Sequence, residues 1–371
     1  MVITFPHMGP AYISIKALFE ELGLKIIVPP AVSKKTLEIG TKLSPELACL
    51  PLKINMGNYI ESIEKGADTI VITGSCGPCR FGYYGIVQKE ILKDLGYDVD
   101  VIILDPPKNG IKEFVARIRK LAGNNSVNSI LSAVFKAFRV TEEVDELIEL
   151  CLKTRCREIN KGETDRVMYK FEKAIRETRG VSEIRRCIAE YKERLRAIDI
   201  DKEYQPLKVG LVGEIYTLIE PFVNLNVERK LGNMGVEVYR GLTLNGWVKY
   251  HLAPDIKFRL REKRILKKAD PYLGLCIGGH AWQTVAHTVN FADMGLNGVI
   301  QIMPFGCMPE IVAESILPTI SEQEGIPAMT LIVDEMTGEA GYQTRLEAFI
   351  DLLRQEEENK KNEYKKVLSW N

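Results

Sequence analysis

The sequence predicts an α/β protein of two lobes, each built on its own parallel sheet, related by internal duplication and separated by a helical insert. Three observations carry this. Short apolar runs of strand character alternate with amphipathic helical stretches across short turns at both ends of the chain, and that alternation yields parallel sheets. The order of elements in the first part recurs in the last. Between them, from Ile111 to about Ile198, the text is almost wholly helical in period and rich in Lys, Arg and Glu. At 371 residues the chain is long enough for two packed cores.

In chain order, Val2 to Phe5 reads as a short strand, and Gly9-Pro10 leads into an amphipathic helix from Tyr12 to Leu22 that Gly23 stops. Lys25 to Val28 reads as the next strand. Cys49 opens a helical run from Lys53 to Lys65; Gly66-Ala67-Asp68 turns it, Thr69 to Thr73 is a buried strand, and Asp100 to Leu104 another, followed by Pro106-Pro107. The insert is expected to form a bundle or arm ending at Gln205-Pro206. Lys208 to Val212 then restarts the pattern, with a turn at Gly213-Glu214, a helix from Tyr216 through Leu231 and a strand from Val236 to Tyr239. A helix through about Asp293, the turn Gly295 to Gly298, and strands Val299 to Met303 and Ala328 to Val333 follow. The last helix spans Thr344 to Arg354 and gives way to a solvated polar tail, expected to be disordered or frayed. The domains are thus 1–110, 111–205, 206–343 and 344–371.

Fifty Lys and Arg balance fifty Asp and Glu, so no nucleic-acid footprint is expected. The N-terminus lacks the basic region and long apolar stretch of a secretory signal, and no apolar run reaches the ~18–20 residues of a spanning helix, so a cytoplasmic protein without membrane contact is expected. In a reducing compartment, paired cysteines favour metal or redox chemistry over structural disulfides.

Four of the eight cysteines form two pairs of nearly equal spacing, Cys49 to Cys79 and Cys276 to Cys307. In each pair one cysteine precedes a helix and the other follows the next parallel strand, which places both at the edge where open α/β sheets bind ligands. Two lobes face to face would bring four thiolates together. Cys76 completes Cys76-Gly77-Pro78-Cys79, a C-x-x-C that reads as a redox dithiol, half a zinc site or a further ligand. Cys151, Cys156 and Cys187 sit in charged helical text with no turn beside them and read as core residues. His280 reads either as a proton donor or ligand or as a cap for the Gly278-Gly279 turn, whereas His7 leans to a structural role. Gly74-Ser75-Cys76-Gly77 is a weak anion cradle, and no nucleotide-binding loop is found. Single thiolates from separate loops of two well-cored lobes suit an iron–sulfur cluster better than a compact zinc knuckle.

Ala48-Cys49-Leu50-Pro51-Leu52-Lys53, Gly66-Ala67-Asp68, Gly77-Pro78-Cys79-Arg80-Phe81-Gly82-Tyr83-Tyr84-Gly85, Cys276-Ile277-Gly278-Gly279-His280 and Asp334-Glu335-Met336-Thr337-Gly338-Glu339-Ala340-Gly341 together resemble the activase-related proteins of the 2-hydroxyacyl-CoA dehydratase and benzoyl-CoA reductase superfamily. The resemblance implies two Rossmann-like lobes, an oxygen-sensitive protein of anaerobic metabolism, and a cysteine-bound 4Fe-4S cluster or a double-cubane cluster of eight irons. It also implies low-potential electrons from an actin-like ATPase activator, here a separate protein because the chain lacks phosphate-binding motifs. A redox protein, a catalytic dehydratase- or reductase-like subunit acting on a small molecule or acyl-CoA, and a cluster-assembly partner of the activator all stay open, as does pairing into a homodimer.

Overall fold

The computed structural model describes residues 1–74, 79–104, 111–251 and 255–368, with the side chains of 111–115 and 363–368 excepted. The first lobe has strands β1 (Ile3–Thr4), β2 (Thr69–Thr73) and β3 (Asp100–Leu104), and helices α1 (Ala11–Glu21), α2 (Lys34–Leu43), α3 (Leu50–Ile63) and α4 (Phe81–Asp94). The insert is α5 (Ile111–Ala122), α6 (Val127–Arg155), α7 (Glu163–Glu177) and α8 (Gly180–Arg196). The second lobe has β4 (Leu207–Gly213), β5 (Val236–Arg240), β6 (Gly298–Pro304) and β7 (Ala328–Val333), with α9 (Ile215–Ile219), α10 (Val227–Asn233), α11 (Leu244–His251), α12 (Ile256–Leu266), α13 (Ala281–Asp293) and α14 (Met308–Glu324). A long α15 (Glu339–Leu368) closes the chain.

Both sheets are parallel, in the orders β1-β2-β3 and β5-β4-β6-β7. A lone bridge sets Ile26 beside Ile3 on the free side of β1. With that bridge counted in the place of β5, the two lobes share one strand order, as duplication requires, and each is Rossmann-like. Every residue of β6 is buried, which explains its continuous apolar run: a central parallel strand is covered on both faces.

Three expectations need correction. Lys25 to Val28 forms one bridge and not a strand. The helix expected from Tyr216 to Leu231 is broken into α9 and α10 because Pro221 cannot continue α9 and Leu225 and Asn226 adopt positive φ (53° and 56°). The polar tail is helical: α15 continues through residues that are good helix formers, with Lys361 paired to Glu357 one turn back at 3.5 Å. Its first half buries Leu346, Ile350 and Leu353 against Val209, Leu211 and Ile300 of the second sheet.

The insert carries no strand among the described residues, but it is no separate arm. Val140, Val144 and Leu147 of α6 and Ile184 and Ile188 of α8 share one core with Ile3, Phe5, Ile13, Phe19 and Val71 of the first lobe. The other face of that sheet is covered by Leu52, Met56 and Tyr59 of α3 and Tyr84 of α4. Lys16 is buried within α1, its ammonium donating to the carbonyls of Ile175, Arg176 and Thr178 at 3.1, 3.1 and 2.5 Å. It thereby caps the C-terminal end of α7, where carbonyls lack partners.

The lobes meet at the C-terminal edges of their sheets. Residues that follow strands of one lobe touch residues that follow strands of the other: His7 Nδ1 lies 2.9 Å from Glu220 Oε2, which also accepts from the Gly9 amide at 2.6 Å. The Lys53 ammonium pairs with Glu335 after β7. Leu50 and Ile54 of α3 pack in one apolar cluster with Tyr216 and Leu218 of α9.

Candidate metal centre

Cys49 and Cys307 share one local setting in different lobes, although by strand order the counterpart of Cys307 is Cys79. Each is the residue immediately before a helix, α3 and α14, and each helix carries proline in its first turn, Cys49-Leu50-Pro51 and Cys307-Met308-Pro309. Proline is tolerated there because the first-turn amides have no intrahelical acceptor. The positive end of each helix favours an anionic sulfur or any anionic group held by it. Cys79 lies two residues before α4, with Arg80, the residue at the N-cap of that helix, between them. The C-x-P repeat was readable in the sequence and is the signal that ties Cys49 to Cys307.

These three thiols form one electrostatic neighbourhood. Burial, with the carboxylate of Glu214 adding to it, pushes the Cys49 thiol up to about 12 against the pull of Arg80 and the Leu52 amide. Burial likewise raises Cys307, with Glu214, Glu310 and Cys49 adding to it, and raises Cys79, with Glu214 and Glu310 adding while the Phe81 amide and Arg80 oppose. The Cys49 sulfur also contacts the Tyr84 hydroxyl.

Two buried carboxyls stand beside the sulfurs. Glu214, at the end of β4, accepts from the amides of Tyr216 and Thr217 at 3.0 and 2.9 Å, and burial raises it. Glu310, in the first turn of α14, accepts from Thr284 Oγ1 and Gln301 Nε2, each at 2.9 Å. Burial lifts it to about 7, with those two donors opposing and Glu214 adding. Both carboxyls were missed in the sequence, since only the folded topology brings them to the cysteines. Arg80 donates to the carbonyls of Leu47 at 2.9 Å and Gly306 at 2.8 Å, so it bridges the two lobes beside the sulfurs.

Cys276 differs from the other three in exposure: Cys49 and Cys79 are half-buried and Cys307 is buried. Cys276 is exposed on the segment before α13 and faces Tyr250. The segment itself reaches the site, because a Cβ on Gly279 would lie 2.6 Å from Pro309 of α14. His280 is the residue that precedes α13; burial, with His251 nearby, lowers it to about 4, so it is a neutral imidazole at pH 7. Its side chain takes no hydrogen-bond partner among the described residues. His7 is buried and bonded to Glu220 and Arg176. Cys151 and Cys187 lie in the core shared by the insert and the first lobe, and Cys156 is buried at the end of α6. Cys76 and the cradle Gly74-Ser75-Cys76-Gly77 fall on residues 75–78, outside the described residues apart from Gly74.

Among the described residues no three His, Cys, Asp or Glu side chains converge closely enough to hold a single metal ion. A many-iron body puts its thiolates on different irons and therefore farther apart, so the donor set and its spread are compatible with such a group. Among the described residues, no helix is long and apolar enough to cross a membrane.

Residues 7–73 match a protein family described as CoA enzyme activase uncharacterised domain (DUF2229). The matched stretch runs from His7 through α3, with Cys49 at its head, to the last residue of β2. No curated protein matches the chain. The match likens residues 7–73 to that domain of CoA-enzyme activases.

Proposed function

We propose that the protein is an iron–sulfur redox component of a CoA-enzyme system, with a 4Fe-4S cluster held at the junction of the lobes by Cys49, Cys79 and Cys307, and with Cys276 or Cys76 as a further ligand. The observation that carries the reading is the gathering of three thiols from two lobes, two of them at the positive ends of helices that begin with the same C-x-P turn. When bound, the cluster would supply one-electron chemistry at low potential. The chain's own part is to bind and tune. The helix ends and Arg80 offset negative charge on the sulfurs, while Glu214 and Glu310, both raised by burial, make further negative charge costly there. A centre in that setting is hard to reduce, which agrees with electrons arriving from a separate actin-like ATPase activator.

One observation favours a second reading, a catalytic dehydratase- or reductase-like subunit. Cys276 is exposed, unlike Cys49, Cys79 and Cys307, and a cubane held by those three alone would keep one iron open for a small substrate. His280, a neutral imidazole with no hydrogen-bond partner among the described residues, is the group this reading would use, as a ligand or in proton transfer. A double cubane would need more thiolates than these and so would draw on Cys76. The deciding experiment is anaerobic purification with iron and acid-labile sulfide counting. About four irons per chain supports one cubane and about eight the double cubane, and zinc in their place refutes both.

A further inference from the structure

Among the described residues, Arg80 is the one side chain that links all three cysteine-bearing segments. It follows Cys79 directly in the chain, donates from Nη1 to the carbonyl of Leu47, two residues before Cys49, and donates from Nη2 to the carbonyl of Gly306, the residue before Cys307. Its backbone is fixed in the entry to α4, where its carbonyl accepts from the Tyr83 amide at 2.9 Å. Gly306 is shaped for this contact. Its φ is +70°, and a Cβ there would stand 3.3 Å from Arg80 Nη2, so any side chain would press on the guanidinium as well as strain the turn.

From this we propose that Arg80 is a positioning residue, a clasp whose rigid fork sets the separation of Cys49, Cys79 and Cys307 across the two lobes. The argument is geometric. Both bonds are exposed, and an exposed hydrogen bond competes with water, so neither contributes much to overall stability. What a planar guanidinium adds is a fixed angle between two donors that a single ammonium cannot reproduce. The two acceptors are backbone carbonyls, which tie the guanidinium to the course of the main chain next to each cysteine. The cation also lies beside Cys49 and Cys79, so charge alone is the competing explanation.

The inference extends the reading of the site as a metal centre, and its test has an arm that needs no metal. Arg80→Met and Arg80→Lys are made in the full chain and compared with the unaltered protein by hydrogen exchange in the metal-free state. Both are expected to speed exchange in the segments around Leu47 to Leu50 and Gly306 to Glu310, with α13 and α15 unchanged. After anaerobic reconstitution with ferrous iron and sulfide, both are expected to lose iron to a chelator about 10- to 100-fold faster, the usual effect of removing a group that orients ligands. Unchanged exchange in either segment of Arg80→Met overturns the clasp. Restoration of exchange and iron retention by Arg80→Lys also overturns it, since charge would then suffice. If the unaltered chain takes up no iron and sulfide, the metal reading fails while the exchange arm still decides the clasp.

Discussion

The pair formed by Lys53 and Glu335 joins the lobes beside the site, and its two halves should not cost the same to remove. The Lys53 side chain is 2% exposed and that of Glu335 is 24% exposed. Lys53 keeps one other acceptor, the Glu46 carbonyl at 3.0 Å. Glu335→Ala therefore leaves an ammonium buried with a single neutral partner, and breaking a buried pair in this way costs about 3–5 kcal/mol. Lys53→Met fills the same volume with an apolar chain and leaves a carboxylate that already reaches water, so about 1–2 kcal/mol is expected. The double variant removes the stranded ammonium and should be more stable than Glu335→Ala alone by about 2 kcal/mol. Urea unfolding of all four proteins at pH 7, followed by far-ultraviolet circular dichroism, reads these differences as shifts of the midpoint at constant slope. Equal losses in the two single variants, or strictly additive losses in the double, would refute the reasoning.

Replacement of Lys16 by Met removes the donor shared by three carbonyls at the end of α7 and should cost about 3–5 kcal/mol in the same unfolding assay; a loss below about 1 kcal/mol would mean that water replaces it. His280 has its folded-state pKa lowered from 6.5 to about 4, so the unfolded chain binds the extra proton first and stability falls as pH drops from about 6.5 towards 4, by about 1–3 kcal/mol once its partial exposure is allowed for. His280→Gln should flatten that decline between pH 7.5 and pH 5, and parallel curves for variant and unaltered protein would count against it. Serine at Cys49, Cys79 or Cys307 should lower iron content or alter the cluster's EPR signal, whereas serine at Cys151 or Cys187 should do neither; serine at Cys276 separates four-thiolate from three-thiolate ligation. The isolated chain should release no phosphate from ATP, and any ATP-dependent change in the cluster's visible spectrum should require the added activator.

The strands and their parallel pairing were legible because buried parallel strands leave unbroken apolar runs between helices. Asp100 to Leu104 and Ala328 to Val333 were read at their observed bounds. What the sequence hid is tertiary in origin. Glu220 ends α9 early and turns back to meet His7 and Gly9 of the other lobe, a pull that no local periodicity records. Pro221 was the visible clue. Ile26 has the composition of a strand residue but pairs only once, because the chain turns through Pro29 and Pro30 directly afterwards. At the candidate site, Cys49, Cys79 and Cys307 could be picked out by their place at element boundaries. Cys276 shares that pattern yet faces Tyr250, because position along the chain fixes the sheet edge and not the direction in which a loop presents its side chain. Glu214 and Glu310 were invisible, since a lone glutamate after a strand or in a first helical turn is normally a solvated cap.

The core common to the first sheet and the insert has a consequence for how this chain is made. As it leaves the ribosome, β1, β2 and β3 are complete by Leu104, but the apolar face carrying Ile3, Phe5 and Val71 has only α1 over it until α6 and α8 have followed. The first lobe is therefore an unfinished object for the time needed to add roughly ninety more residues, about 5–20 s at ordinary elongation rates. During that interval its exposed face invites association with other nascent chains. A fragment that stops at Gly110 would stay in that condition permanently, whereas one extended to Gln205 carries its own lid.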